Sequence, residues 1–587
     1  MLPVPPFVLL DDARPGAPPA RLYANPVEII EAGGEGEVGP ALNRLNAAQA
    51  RGLHAAGFLT YEASAELEPS AWPRPAGGAA PRLWFGLFER YTEIADVAAL
   101  LPDPAGAWAG APQPWITRDQ YGEQFAAVEE LIAAGDIYQA NLTFRAWVRR
   151  AGSPGALYAL LRTRAAAGYG ALVATGEQVL LSFSPELFFA VEGGTLTARP
   201  MKGTSIRGAT PAEDEALAEA LASDPKQRAE NLMIVDLMRN DLSRVSRAGS
   251  VLVPLLFHVE RYPTVHQMVS TVTAQLDDGL DAIDALRSLF PCGSVTGAPK
   301  VRAMQVIGEV EGAARNIYTG SIGRFDANGD AMFNVAIRTL MLDPTSDAAV
   351  LGLGSGVVAD SRVDEEWAEC LAKGAFVTAG ETPFDLIETM AFDPERGIPL
   401  LERHIARMRA SAQLFGFIFD RHGVRNELQA ATFRLREASR VRLLLGRSGA
   451  IAIGIAPMPP LPHGPVSVAI RPLEVAPDDF RLAHKTSRRG FYTRAEGAFE
   501  TVYTDPDGYL TEGSFTSIFV RNADGVLVTP PLRRGLLPGV LRAELIESGR
   551  AIEGDLRPKD LESGFFIGNA LRGLVSAVTF AKARSAP

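Results

Sequence analysis

Two lysines in this sequence lie in segments that could make an amine reactive. Lys202 is in ARPMKGTSIRG, which predicts a strand end followed by a glycine turn, and Lys485 is in LAHKTSRRGFY. A lysine in a partly dry site loses its proton and acts as a nucleophile or base. Arg488 and Arg489 would favour the neutral form of Lys485. An exposed basic surface is the commoner origin of both patterns, so the pattern alone favours that interpretation and leaves the reactive one open.

Carboxylates accompany the first lysine. Glu366 and Glu369 are three positions apart in a predicted helix, so both project from one face, and Glu230 lies near the start of another predicted helix. Carboxylate oxygens suit Mg²⁺, although a solvated helix face has the same spacing. Glu186 lies in the apolar segment SPELFF, where burial would raise its pKa and suit it to general-acid catalysis. An outward-pointing strand residue would give the same pattern.

Further segments offer donors to an anion. The glycine-rich turns SVTGAPK and GLGSGVV present backbone amides, and Arg338 could bind a carboxylate with both arms of its guanidinium group. In the C-terminal third, GLLPGVLR opens a predicted helix whose first amides could bind phosphate. Arg407 could add a charge there, although it also fits a polar helix face. Glu512, at the start of a predicted strand, could pair a pyridinium nitrogen.

The scaffold for these residues divides into two parts. Helices are predicted at 121–134, 228–242 and 399–415, and strands at 179–183 and 186–191, with a Gly193-Gly194 turn after the second strand. Many strands with intervening helices predict a mixed α/β N-terminal domain, and the remainder predicts a smaller α+β domain. We predict domains at 1–375 and 384–587 with a linker at 376–383.

Length and composition limit the class of protein. A chain of 587 residues is too long for one ordinary core, and its net charge of −12 argues against a nucleic-acid surface. No apolar run of membrane-spanning length and no basic leader is present, so no membrane partner is predicted. Two cysteines, Cys292 and Cys370, fit a reducing compartment. We therefore expect a cytoplasmic enzyme.

Ten segments occur in an order that is typical of one enzyme family: YQANLTF, SPELFF, MKGTSIRG, AENLMIVDLMRNDLSRV, VHQMVSTV, CGSVTGAPK, YTGSIG, AIRTL, GSGVVADS and EEWAECLAK. From about residue 50 to 375 the chain thus resembles chorismate-utilising enzymes of the aminodeoxychorismate synthase component I type. Lys202 stands where anthranilate synthases usually carry Ala, and Gln139 where isochorismate and salicylate synthases carry a water-activating Lys. The resemblance implies an anthranilate-synthase-like fold of large antiparallel sheets with helices, and amination of chorismate at C4.

The resemblance also implies roles for individual residues. Glu230, Glu366 and Glu369 would hold Mg²⁺, which grips the ring carboxylate of chorismate. Glu186 would help the C4 hydroxyl leave, and Lys202 would add to C2 before ammonia attacks C4. The substrate pocket would be lined by His266, Thr296, Tyr318, Arg338, Gly356 and Lys373. Ammonia would come from a separate glutaminase chain, because neither cysteine lies in the glycine-rich elbow that such a nucleophile needs.

The C-terminal landmarks are LLERHIARMRASAQLFGF, LAHKTSRRGFY, LTEGSFTSIFV, GLLPGVLRAEL and FFIGNALRGLV. Over about 384–580 they resemble aminodeoxychorismate lyase and its relatives in the fold-type IV pyridoxal-phosphate family, in which D-amino acid aminotransferase is also found. The resemblance implies that Lys485 is the Schiff-base lysine and Glu512 the partner of the pyridine nitrogen. Phosphate or pocket contacts would come from Arg407, Val540, Leu541 and Asn569. A homodimer through this domain is also implied.

Together the two resemblances predict consecutive steps from chorismate to 4-aminobenzoate, with Lys485 removing the proton that lets pyruvate leave in the second step. Ser517 departs from the family, because many members carry Asn at that position. Two alternatives stay open. One is an anthranilate-type synthase joined to a branched-chain or D-amino acid aminotransferase-like domain, and the other is an enzyme with one catalytically silent domain.

Overall fold

The computed structural model describes residues 2–71, 78, 80–262, 265–343 and 346–580. Met1 and residues 581–587, at the outer ends of the two predicted domains, lie outside these ranges. Contacts divide the chain into two units. The first consists of the chain up to Leu101, Ala111–Arg149 and Tyr158–Ala379, and the second of Pro102–Gly110, Arg150–Leu157 and the chain from Gly380 onward.

Two large antiparallel sheets form the first unit. In spatial order, the strands of the first sheet are Gly297–Ala298, Gln139–Ala151, Ala348–Val357, Thr339–Leu342, Val179–Ser184, Tyr169–Ala174, Phe7–Asp11, Ala20–Ala24 and Thr92–Ile94, with Gln113–Pro114 pairing on Gln139–Ala151. Those of the second are Met201–Ile206, Val265–Gln275, Thr195–Arg199, Leu187–Glu192, Ala331–Asn334, Ser321–Phe325, His54–Leu59, Leu83–Phe88 and Glu28–Ala32, with Leu252–Arg261 pairing on Val265–Gln275.

The two sheets pack face to face through an apolar cluster. Val8 and Val173 of the first sheet share this cluster with Phe58 and Trp84 of the second. Strands that are covered on both faces need apolar residues at successive positions, and all six residues of Leu83–Phe88 (LWFGLF) are buried. This double layer explains why so many strands of the sequence show apolar runs without alternation.

Helices complete the first unit. Its chain contains the α-helices Val38–Ala50, Ser64–Leu67, Val97–Leu100, Arg118–Ala133, Pro154–Ala165, Pro211–Ser223, Pro225–Ser243, Ala282–Leu289, Lys300–Val310 and Val363–Gly374, and the short 3₁₀ helices Tyr61–Ala63, Pro69–Ala71, Gly293–Val295 and Ala375–Val377. The predicted helix at 228–242 begins earlier, at Pro225, because the Asp224 side chain accepts a hydrogen bond from the Gln227 amide and proline suits the first helical position.

The predicted strand pair at 179–191 spans both sheets. Val179–Ser184 pairs in the first sheet and Leu187–Glu192 in the second. Gly193 and Gly194, with φ of 54° and 81°, then turn the chain into the hairpin strand Thr195–Arg199. Glu186, which was predicted to begin the second strand, therefore lies in the connection between the two sheets.

The second unit contains a small and a large sheet. The small antiparallel sheet consists of Leu386–Phe392, Ser439–Leu445 and Ile451–Pro457. In spatial order the large sheet consists of Leu510–Gly513, Glu500–Thr504, Val466–Pro472, Gly573–Thr579, Phe565–Asn569, Ser517–Arg521, Leu527–Thr529 and Ala551–Glu553. The helices are Leu401–Phe415, Arg421–Thr432, Phe480–Ala483 and Val540–Glu547, with 3₁₀ helices at Pro104–Gly106, Leu532–Arg534 and Pro558–Leu561. The short strand Trp108–Ala109 pairs with residues 150–151.

An aromatic cluster anchors the small sheet. Phe384, Phe415 and Phe480 are buried together, with ring centroids 5.2 to 6.1 Å apart. Phe415 ends the helix Leu401–Phe415, and Gly416 follows with φ of 70°, the left-handed conformation that commonly stops a helix. The predicted fold class, a mixed domain with large antiparallel sheets followed by an α+β domain, is confirmed. None of the helices in the described part of the chain has the length and apolar character needed to cross a membrane.

Phe333 offers a test of the core of the first unit. Its fully buried ring contacts Phe85, Phe189 and Phe325 at centroid distances of 4.8 to 6.2 Å. We expect Phe333→Ala to lower the free energy of unfolding of this unit by about 3–5 kcal/mol, because the substitution leaves a cavity. Chemical denaturation, monitored by tryptophan fluorescence, measures this change in the free energy of unfolding. Phe433→Ala, at a position 76 % exposed, is the control and should change stability by less than about 0.5 kcal/mol.

Candidate active sites

The first candidate site is built around the amine of Lys202. Lys202 lies inside the strand Met201–Ile206 rather than at a strand end, and its Nζ is 3.8 Å from Oε2 of Glu230. A Cβ atom added to Gly356 would lie 2.8 Å from Lys202 Nζ and 2.8 Å from Gln139 Nε2. Glycine at 356 therefore leaves room for the amine and the amide. The Gln139 amide is buried and has no hydrogen-bond partner among the described residues, so it is available to a ligand.

Glu186 supplies a buried acid to the same site. Its Oε1 accepts a hydrogen bond of 2.7 Å from the Ser294 hydroxyl. The Ser184 hydroxyl holds the backbone of Glu186, because it accepts a hydrogen bond of 3.2 Å from the Glu186 amide. Burial raises the pKa of Glu186 to about 7, against the opposing effects of the Ser294 hydrogen bond and the Lys202 charge. A carboxyl group with this pKa can hold a proton near neutral pH and release it.

Glu230 is half-buried on helix Pro225–Ser243. Burial raises the pKa of its carboxyl group, and the charges of Lys202 and Lys226 act in the opposite direction. The nearby carboxylates of Asp360 and Glu369 raise it further. Acidic groups thus repel one another at this edge of the site, which is the electrostatic setting that a cation would relieve.

The other two predicted metal ligands have partners inside the protein. Glu366 Oε1 accepts a hydrogen bond of 2.7 Å from the Ser361 hydroxyl. Glu369 lies 2.7 Å from Lys373 Nζ, and Lys373 also donates to the Gly354 carbonyl at 2.9 Å. Burial acts to raise the pKa of Glu369, but the charge and hydrogen bond of Lys373, together with the charges of Lys202 and Lys226, outweigh it and the pKa is lowered.

The side chains of the three glutamates are of the chemical type that binds a magnesium ion, but their positions in this structure do not form a metal site. Carboxylate oxygens are the ligands that Mg²⁺ prefers. Across the described residues, however, no group of three or more His, Cys, Asp or Glu side chains is close enough to hold a metal ion. A cation would have to draw Glu369 from Lys373 and Glu366 from Ser361.

Arg338 presents an unpaired charge. Its backbone has a φ of 50°, and its guanidinium group makes no ion pair or hydrogen bond with the residues that the structure describes. Burial lowers its pKa. A buried guanidinium group without a carboxylate is costly, and an anionic ligand would remove that cost.

Three other residues predicted to line the pocket make contacts within the protein. His266 is fully buried, with Nε2 2.9 Å from Asp214 Oδ1, and its Nδ1 has no partner among the described residues. The Thr296 hydroxyl donates to the Gly293 carbonyl at 3.0 Å and so holds its own turn. The Tyr318 ring packs directly on Gly352, where an added Cβ would lie 2.0 Å from the ring.

The second candidate site is a cavity of about 530 Å³ within the second unit. All six residues predicted to contact pyridoxal phosphate line it: Arg407, Lys485, Glu512, Val540, Leu541 and Asn569. The folding of the chain therefore brings together residues from the large sheet, two helices and a loop in one cavity.

Lys485 is the buried amine of this cavity. Burial lowers its pKa to about 7, against the opposing charge of Glu388, and the nearby Arg407 and Arg489 lower it further. Its carbonyl accepts a hydrogen bond of 2.8 Å from the Ile387 amide, which fixes the chain at the small sheet. An amine with this pKa is available as a base or nucleophile near neutral pH.

Glu512 lies within the strand Leu510–Gly513, in the same cavity. The Tyr492 hydroxyl donates a short hydrogen bond to its Oε1. Burial raises the pKa of Glu512 to about 7, while the Arg489 charge and the Tyr492 hydrogen bond lower it. A positively charged ring nitrogen beside Glu512 would stabilise its ionised form, so this carboxyl group fits the role predicted for it.

The start of a helix in the lining of this cavity fits a phosphate group. Helix Val540–Glu547 begins after Gly539, and no described side chain caps its first amides. Arg407 donates to the Pro538 carbonyl just before this helix at 3.1 Å, and it is held by two hydrogen bonds to Glu388. Free helix amides and a guanidinium group are the donors that phosphate prefers.

Asn569 supports part of the cavity wall. Its Nδ2 donates to the Phe515 carbonyl at 3.0 Å, and its Oδ1 accepts from the amides of Leu571 and Arg572. Its side chain therefore supports two loops that line the cavity. Sequence reasoning missed Ser294 and Tyr492, which hold the two buried acids, although both lie in segments selected for other residues.

Comparisons with known proteins match two families to two consecutive parts of the chain. The family model described as chorismate binding enzyme matches residues 6–379, and the model described as amino-transferase class IV matches residues 385–579. The chain is 45 % identical over 258 residues to aminodeoxychorismate synthase component 1 of Escherichia coli (strain K12), covering 44 % of this chain and 56 % of that relative. It is 40 % identical over 258 residues to anthranilate synthase component 1 of Aquifex aeolicus (strain VF5), covering 44 % and 52 %.

The chain thus spans about half the length of these curated relatives. Among solved structures, anthranilate synthase component I from Streptococcus pneumoniae TIGR4 matches with a TM-score of 0.53 and 27 % identity, over 64 % of this chain and 94 % of that one. This confirms the anthranilate-synthase-like fold predicted for the N-terminal part. The chain belongs to the chorismate binding enzyme family, and its C-terminal part is an amino-transferase class IV domain.

Proposed function

We propose that the first unit aminates chorismate at C4, and that the second unit eliminates pyruvate from the product to give 4-aminobenzoate. One observation carries the proposal. Each site combines a lysine amine with a buried carboxyl group whose pKa lies near 7, Lys202 with Glu186 and Lys485 with Glu512. Such pairs support proton transfer coupled to bond formation at an amine. The similarity to aminodeoxychorismate synthase component 1 supports the choice of substrate.

In the first step, Lys202 Nζ would form a bond to C2 of chorismate as both ring double bonds shift and the C4 hydroxyl leaves. Glu186 would give its proton to that hydroxyl, so that water departs. Ammonia would then bond to C4 as both double bonds shift back and the bond between C2 and Lys202 breaks, which restores the lysine. The unpaired Arg338 fits a substrate carboxylate. Magnesium bound by Glu230, Glu366 and Glu369 would neutralise the ring carboxylate.

Ammonia would come from a separate glutamine amidotransferase chain. The two cysteines of this chain are poor candidates for a glutaminase nucleophile, because burial raises the pKa of Cys292 to about 12 and that of Cys370 to about 11. A thiol with such a pKa carries almost no thiolate at neutral pH. The designation "component 1" of the similar synthase also fits a two-chain system.

In the second step, the buried amine of Lys485 would remove the proton from the ring carbon that bears the nitrogen. The bond from the neighbouring ring carbon to the enolpyruvyl oxygen would then break, the ring would become aromatic, and pyruvate would leave after protonation. Pyridoxal phosphate, held by Arg407, the Val540 and Leu541 amides and Glu512, would act as an electron sink. Tyr492 and Arg489 would keep Glu512 oriented towards the cavity.

Product analysis tests the whole proposal and separates it from the alternatives. The purified chain receives chorismate, Mg²⁺, pyridoxal phosphate and ammonium, and we expect 4-aminobenzoate and pyruvate in equal amounts. Anthranilate would overturn the assignment of the first unit, whose family includes anthranilate synthases. Aminodeoxychorismate that accumulates without further reaction would overturn that of the second.

Two lysine variants should separate the activities. We expect Lys202→Ala to lose chorismate amination by at least ~10²-fold while it still converts supplied aminodeoxychorismate. Lys485→Ala should accumulate aminodeoxychorismate and lack the visible absorption band of lysine-bound cofactor. Liquid chromatography and absorption spectra measure these outcomes. Lys559→Ala removes an exposed lysine and is the control. Normal pyruvate release by Lys485→Ala would contradict its role.

The pH dependence of amination tests Glu186. A general acid is active below its pKa, so at constant free ammonia the value of kcat/KM for chorismate should fall about tenfold per pH unit above about 7. Ser294→Ala removes the donor that stabilises the carboxylate, so the falling limb should move to higher pH. Ser294→Thr keeps the hydroxyl and should retain the wild-type profile. A flat profile from pH 7 to 9 would argue against Glu186 as the acid.

A further inference from the structure

The cavity of the second unit has more positive charge than its predicted cofactor needs. Six arginines line it: Arg407, Arg440, Arg442, Arg489, Arg494 and Arg572. Among its described lining residues the only carboxyl group is that of Glu512. Arg407 is neutralised by Glu388, at 2.7 Å, and lies beside the phosphate end. The surplus of cations is therefore not explained by a phosphate alone.

Arg440, Arg494 and Arg572 form a cluster within this cavity. Burial lowers the pKa of Arg572, and the charge of Arg440 lowers it further, with Arg494 acting in the same direction and Glu500 against it. The side chains of Arg440 and Arg572 make no hydrogen bond or ion pair with any residue in the described ranges. Arg440 is exposed and Arg572 is half-buried, so water screens part of their mutual repulsion, and an anion bound between them would reduce the remainder.

An aromatic wall adjoins the cluster. The Phe515 ring lies 5.2 Å from the guanidinium group of Arg494 and 5.4 Å from that of Arg572. Glu500 holds the loop that carries this ring, because it accepts hydrogen bonds from the Phe515 amide at 3.2 Å and the Thr516 hydroxyl at 2.9 Å. The arginines and the ring therefore form one firmly supported surface, which suits a flat ring that carries an anionic group.

We propose that Arg440 and Arg572 bind a second carboxylate of the substrate, whose ring lies against Phe515, and thereby select amines that carry two carboxylates. The inference rests on the proposed function and extends it to specificity. An amine with one carboxylate, such as an ordinary amino acid, would leave these two arginines without a partner. A ring that bears both a carboxylate and an enolpyruvyl carboxylate would pair with them, because a guanidinium group binds a carboxylate with two parallel hydrogen bonds.

Binding of simple ring acids tests the subsite without catalysis. Isophthalate carries two carboxylates and benzoate one, and calorimetric titration into the cofactor-loaded full chain measures both affinities. We expect the wild-type chain to bind isophthalate at least about tenfold more tightly. Arg440→Met combined with Arg572→Met should weaken isophthalate binding roughly 10- to 100-fold, to the level of benzoate. Equal affinity of the wild-type chain for both acids would overturn the proposal.

Kinetics provide the second measurement. In the double variant the KM for aminodeoxychorismate should rise roughly 10- to 100-fold while kcat changes less than about threefold. An unchanged cofactor absorption band shows that the variant is folded. Arg572→Lys keeps the positive charge but loses the paired hydrogen bonds that a guanidinium group makes to a carboxylate. Its KM should therefore lie between those of the wild type and the double variant. Arg434→Met removes an exposed arginine outside the cavity lining and should behave as wild type.

The outcomes separate the inference from the proposed function. If the wild-type chain prefers isophthalate but releases no pyruvate from aminodeoxychorismate, the proposed reaction fails and the dicarboxylate subsite stands. If pyruvate is released and the double variant keeps the wild-type KM, the reaction stands and the subsite is refuted.

Discussion

The removal of ionisable groups from water is the constraint on which both candidate sites depend. Burial raises the pKa of Glu186 and of Glu512 to about 7, and it lowers the pKa of Lys485 to about 7. One physical cost, the desolvation of a charged form, therefore brings two acids and one amine into the range where proton transfer is efficient. By excluding water, the layered sheets help to set the pKa values of these groups.

Burial moves the pKa of a carboxyl group towards 7 only where few charged groups and hydrogen-bond donors stabilise the carboxylate. Glu388 is as buried as Glu512, yet its pKa is held well below the usual range, because the charge of Arg407 and the hydrogen bonds from His404 and Arg407 outweigh desolvation. Glu512 has one short hydrogen bond from Tyr492 instead. The difference between a structural carboxylate and a reactive one thus lies in the charges and hydrogen-bond donors beside it, not in depth.

Sequence reasoning succeeded where a local pattern fixes the structure. The hairpin at Gly193-Gly194 and the helix that carries Glu366 and Glu369 follow from nearest neighbours. Contacts across long sequence separations have no local signal. Ser294 meets Glu186 across 108 positions, and Arg440, an exposed residue of its strand, lines the same cavity as the distant Arg572. The resemblance, rather than periodicity, supplied most of the predicted site residues.

The two sites also differ in the balance of their charges. At the first site lysines and carboxylates face one another, because Lys202 and Lys226 act on Glu230 together with Asp360 and Glu369, whereas the second cavity contains six arginines, a lysine and one carboxyl group among its described lining. Under the proposed function, a substrate with two carboxylates would need a bridging cation at the first site and none at the second. The product of amination would gain an amine but keep both carboxylates. The positive cavity is therefore matched to what the first reaction would deliver, although the whole chain has a net charge of −12.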